Sequence, residues 1–138
     1  MPVIRAADSR RSDTPNGVMT TLASPTQGGT GLALWRVDLE PGKGGPRHAF
    51  DAEQIWTVLS GTATVDLDGV EHVVTSGDTV VLPAGAPRRI TAGPDSGVAA
   101  IVAAPAGTRV YNPEGRTADE ACDQAPKGAQ LLLPPWVV

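Results

Sequence analysis

Cysteine is almost missing from this 138-residue chain: Cys122 stands alone, an internal disulfide is excluded, and nothing ties the fold to an oxidising compartment. Positive charge is not in excess either. Lysine and arginine number 11 against 15 acidic residues, for a formal charge of -4 and a pI near 5.0, which excludes general binding to a nucleic-acid backbone. No pair of helices of the DNA-reading kind is visible, so direct transcriptional control is not expected. No apolar run reaches membrane-spanning length, and the opening "MPVIRAADSRR" lacks the apolar core of a signal peptide. The expectation is a soluble cytoplasmic protein with neither membrane nor nucleic-acid partners. Internal repeats are absent, and no helical apolar period persists beyond a turn or two.

What is present reads as β-structure. The 16 glycines and 13 prolines do not cluster as in a disordered segment; they punctuate short runs of valine, leucine and alanine. The length fits one domain with a real core. Strands are predicted near 17–23, 31–39, 53–60, 62–67, 70–75, 79–83, 87–92 and 97–104. In "LWRVDLEPG", Trp35, Val37 and Leu39 alternate with Arg36 and Asp38, giving one buried and one wet face. Asp68-Gly69 sits between two alternating runs, a strong hairpin signal. One short helix is predicted within "TADEACDQA", with Thr117 as N-cap and Glu120 completing a capping box. The glycine-rich "PTQGGTG" reads as a loop. Evenly spaced strands imply a sandwich or closed barrel. The chain divides into an N-terminal arm and edge strand (1–30), a barrel (31–111) and a tail (112–138). That tail ends in "LLLPPWVV", too apolar for water, and is expected to pack on the barrel or on a partner subunit.

Two stretches carry a family likeness. Gly42, His48, Gln54 and Gly61 stand in the register of the first motif of the cupin superfamily, and Gly77, Pro83 and Gly85 in that of the second. The chain therefore resembles a small single-domain cupin. The resemblance implies an all-β jelly-roll barrel, here with a short C-terminal helix. It also implies four metal-ligand positions, which fall on His48, Phe50, Gln54 and Arg88. Only His48 is a usual ligand. Glutamine replaces the motif's glutamate in some metal-binding cupins, including ones acting on uronate sugars, so His48 and Gln54 form the alternative metal set. Phe50 cannot coordinate, and Arg88 is a permanent cation that repels a divalent ion. Two neutral ligands do not hold a transition metal tightly. The expectation is a dismantled metal site with the pocket retained and no tightly bound cofactor, the alternative being a weakly bound divalent transition metal. Glu53 is expected to face away from Gln54, Asp51 to lie on the loop, and His72 to be an ordinary strand residue far from His48.

His48, Gln54, Trp56 and Arg88 are expected to point into one barrel, with Arg89 outside. An imidazole moves a proton in either direction. A buried guanidinium with no carboxylate beside it wants an anion such as a carboxylate, enolate or phenolate. His48 and Arg88 are thus the catalytic candidates. Gln54, Trp56, Phe50 and Tyr111 are the substrate-binding candidates: an amide that donates or accepts, two flat apolar walls, and a phenol that would close the mouth. The leading class is a metal-independent acid–base enzyme, an isomerase, cyclase, dehydratase or lyase, acting on an anionic or enolisable, aromatic or polyketide-like small molecule. A metal-dependent dioxygenase or sugar-acid isomerase with an atypical His/Gln site is one alternative, and a non-catalytic sensor another. A homodimer is expected, paired through a sheet edge such as "GVMTTLA" and the apolar tail.

Overall fold

The structure, a computed structural model, describes residues 2–113 and 131–138. Its strands are β1 (Arg10–Asp13), β2 (Val18–Ala23), β3 (Leu32–Leu39), β4 (Ala49–Phe50), β5 (Gln54–Leu67), β6 (Val70–Thr75), β7 (Thr79–Leu82), β8 (Arg88–Ala92), β9 (Val98–Pro105) and β10 (Val110–Tyr111). All pairings between these strands are antiparallel, and the fold is an all-β jelly-roll barrel. The predicted helix and Cys122 lie outside the described residues.

Closure depends on β5. Its first half pairs with β9 and β7, and its second half with β6 and β8, so one strand belongs to both layers. Gly61 is the joint. Its φ is 77°, the register against β9 shifts between Val58 and Ser60, and a Cβ there would collide with the Gly97 carbonyl oxygen. The sequence reading of separate strands at 53–60 and 62–67 is therefore corrected to one bent strand, because glycine here bends the ladder rather than ending it. The first layer runs β1-β2-β3-β9-β5, with β7 on the far side of β5.

Alternation in β3 buries Ala33, Trp35, Val37 and Leu39 against Val58, Val65, Ile90, Val98 and Val102. Asp68 and Gly69 both take positive φ, 51° and 86°, forming the two-residue turn expected between β5 and β6. Two features had no clear sequence signal. Strand β1, "RRSD", is charged and half exposed, and β4 and β10 are two residues each. The tail is consumed within its own chain: Trp136 and Val137 are buried in the core, Leu132 bridges Val110, and the Thr21 hydroxyl donates to the Trp136 carbonyl at 2.9 Å. Arg10 Nη2, Ser24 Oγ and Thr26 Oγ1 all donate to the Val138 backbone oxygen, at 2.6, 2.6 and 2.8 Å.

Candidate functional site

Residues 42–48 run beside β8 and bring the two motif halves together. Gly44 bridges Thr91, and His48 and Arg88 exchange both backbone hydrogen bonds, at 3.0 and 2.8 Å. Directly opposed residues of an antiparallel pair share a face, so the imidazole and the guanidinium project to the same side, into the barrel. On β5, Gln54 and Val58 are buried and Trp56 half-buried, while Ile55 and Leu59 lie outside. The side chains of Gln54 and Trp56 and those of His48 and Phe50 line a pocket with about 710 Å³ of empty space, its open mouth included.

The floor is a compact polar cluster. Arg88 is 2% exposed and Gln54 1%. Arg88 Nη2 donates to Gln54 Oε1 at 2.8 Å, and Trp56 Nε1 donates to the same oxygen at 3.3 Å. The guanidinium carbon stands 4.2 Å from the centre of the Phe50 ring, a cation–π contact, and His48 meets the edge of that ring with centroids 5.2 Å apart. Two donors on this floor have no protein acceptor among the described residues: Arg88 Nη1 and Gln54 Nε2, both fully buried. Burial pushes the Arg88 guanidinium down to about 9, partly offset by attraction to Tyr111, so the group is still a cation at neutral pH. His48 Nδ1 lies 3.5 Å from the Arg88 carbonyl, at the outer limit of a hydrogen bond.

The remaining sequence candidates separate cleanly. Glu53, His72 and Arg89 are exposed. Asp51 is exposed too, its Oδ1 accepting from the Arg109 amide at 2.7 Å, so it locks the β4–β10 connection. Tyr111 is half-buried on β10 with its hydroxyl near Gly85, and the pocket wall at that point is Val110. Several lining residues escaped sequence reasoning. Trp35 was expected in the core and also faces the pocket; Trp136 arrives on the tail; Thr14, Asn16 and Met19 come from the β1–β2 hairpin. Only the apolar tail carried a signal that could have found one of these.

The four metal positions do not fit a divalent ion. His48 is the one ordinary ligand among them. The Gln54 carbonyl oxygen already accepts two hydrogen bonds, one from the guanidinium that fills the fourth position, and Phe50 supports that cation. Among the described residues no three His, Cys, Asp or Glu side chains gather into a ligand set.

Fold and site together define a jelly-roll barrel with a buried cationic pocket. The chain belongs to the cupin family: residues 35–103, half of the chain, match the family described as Cupin domain. No curated relative matches it in sequence. Among solved structures, the polyketide cyclase RemF from Streptomyces resistomycificus is similar over 87% of this chain and 89% of its own, at 20% identity and a TM-score of 0.75. KdgF from Halomonas sp. is similar over 86% and 97%, at 20% identity and a TM-score of 0.64. An RmlC-like cupin from Shewanella frigidimarina is similar over 75% and 89%, at 22% identity and a TM-score of 0.63. At these identities the likeness is one of fold.

Proposed function

We propose that this protein is a small-molecule enzyme of acid–base type that works without a resident metal, acting as an isomerase, cyclase, dehydratase or lyase on an anionic or enolisable, ring-sized substrate. One observation carries the reading: Arg88 Nη1 and Gln54 Nε2 are buried donors, on side chains that line an apolar pocket, with no protein acceptor among the described residues. A buried unmatched donor costs about 1–3 kcal/mol, more when charged, and a ligand oxygen carrying negative charge removes that cost. The polyketide cyclase among the fold relatives supports the reading by analogy.

The chemistry balances with these groups alone. His48 removes a proton from carbon beside a substrate carbonyl, and the electron pair moves onto the carbonyl oxygen. Arg88 and Gln54 donate to that oxygen as it gains charge. The enolate then takes the proton back from His48 at another atom, or attacks a second carbonyl to close a ring, and the alkoxide formed there takes the proton from His48. Phe50 and Trp56 exclude water from the reacting face.

The test is α-proton exchange on a panel of aryl ketones and β-dicarbonyl acids in deuterated water, followed by NMR. His48→Ala should slow exchange by about 10²- to 10⁴-fold while leaving binding of an anionic probe intact. Exchange at the wild-type rate in His48→Ala would remove His48 as the base and turn the reading toward a binding protein that senses the same anion.

A further inference from the structure

The floor explains how one end of a ligand is held; the rim bears on the other end. Thr14, Asn16 and Gly17 form the tip of the β1–β2 hairpin, and Thr14 and Asn16 both line the pocket. The tip is locked. Thr14 N–H and Oγ1 both donate to the Gly17 carbonyl at 2.9 Å, while Thr14 Oγ1 accepts from the Asn16 and Gly17 amides at 3.2 and 3.0 Å. Gly17 is seated so closely that a Cβ would collide with Leu39. The Thr14 hydroxyl is therefore used up in holding the turn. The Asn16 side-chain amide is different: half-buried, it has no hydrogen-bond partner among the described residues, and its Nδ2 lies 4.0 Å from where a Cβ on Gly45 would be, across the rim. Between floor and rim the wall is apolar, with Trp35, Trp56, Trp136 and Met19.

Resting on the anion reading above, we propose that Asn16 is a specificity-determining residue that binds the distal polar group of the ligand, so that the substrate class is a bipolar molecule: an oxyanion or enolisable carbonyl at one end, a flat apolar body, and a hydroxyl or carbonyl at the other. An amide suits this task because it can donate to a carbonyl or accept from a hydroxyl without adding charge. A rigid hairpin tip holds it in place, so little ordering cost is incurred on binding.

Naphthoate and its far-ring monohydroxy derivatives provide the test, titrated calorimetrically against the full chain. In the wild-type protein at least one hydroxylated acid should bind about fivefold more tightly than naphthoate, in keeping with one hydrogen bond. Asn16→Ala should erase that advantage and leave the naphthoate Kd within about twofold of wild type, whereas Asn16→Asp, which still accepts from a hydroxyl, should retain it. An advantage that survives Asn16→Ala, or none for any hydroxylated isomer in the wild-type protein, overturns the assignment to Asn16 and leaves the floor untouched. Should Arg88→Met bind naphthoate as tightly as wild type, or wild type not bind it, the anion reading falls and this inference with it.

Discussion

A guanidinium held at 2% exposure with one nitrogen unmatched costs folding free energy, and that cost fixes several outcomes at the residue scale. Arg88→Met removes a buried cation that has no carboxylate beside it, so the variant should be more stable by about 1–4 kcal/mol in denaturant unfolding. The same variant should lose about 2–4 kcal/mol of binding to an anionic probe, and Arg88→Lys should recover only part of that loss. The pH dependence has a definite sign. Because burial pushes Arg88 down to about 9, the folded protein holds fewer protons than the unfolded chain from about 9 up to the ordinary arginine range. Relative to Arg88→Met, wild-type stability should therefore rise with pH through that window. Affinity for the anion should fall over the same range as the cation is lost, and titrations of both proteins from neutral pH upward check both effects. Gln54 sets the charge of the floor by being an amide. Gln54→Glu would place a carboxylate on Arg88 Nη2, neutralise the cluster and lower anion affinity by more than tenfold, about 1.4 kcal/mol.

At the scale of elements, two positions that hold metal ligands in the family's motif have become a stacked pair. Phe50 on β4 and Arg88 on β8 face one another at 4.2 Å, and the Gln54 oxygen on β5 turns to the cation. Phe50→His combined with Arg88→His should reverse this and create transition-metal binding, measured by elemental analysis after dialysis; a folded double variant that ignores metal would show that the motif register is wrong. The joint in β5 is equally specific. Gly61→Ala puts a methyl group onto the Gly97 carbonyl at positive φ and should cost about 3 kcal/mol or more. These elements differ in how legible they were. Strands β2, β3, β6, β7, β8 and β9 announced themselves as short runs between turn residues, with clear alternation in β3 and on either side of Asp68-Gly69. Strand β1 did not, because its edge position selects charge, and β4 and β10 are too short to show a period. The motif spacing marked His48, Phe50, Gln54 and Arg88 as neighbours. The wall at Val110 instead of Tyr111, and the arrival of Asn16 and Trp136, depend on where distant segments dock, which local pattern does not encode.

For the whole molecule the open matter is assembly. The tail is spent inside its own chain, and the edge strand β1 carries Arg10, Arg11 and Asp13, charges of the kind that discourage edge pairing. What remains apolar outside includes the face where Ile55 pairs with Val81, at 41% and 52% exposure. We expect a homodimer that uses this face. Sedimentation at micromolar concentration should show a dimer that Val81→Lys converts to monomer, and a wild-type monomer would count against it. Removing tail contacts should act on the pocket instead: Arg10→Ala loosens the grip on Val138 and should weaken ligand binding through Trp136.

All three tryptophans of the chain line the pocket, and one of them shares an acceptor with Arg88. The protein is in consequence its own optical probe. Its intrinsic emission comes almost wholly from the cavity wall, so a conjugated ligand that enters should quench most of the signal by energy transfer. A screen for the natural ligand then needs no label, no coupled assay and no assumption about whether the bound molecule is turned over.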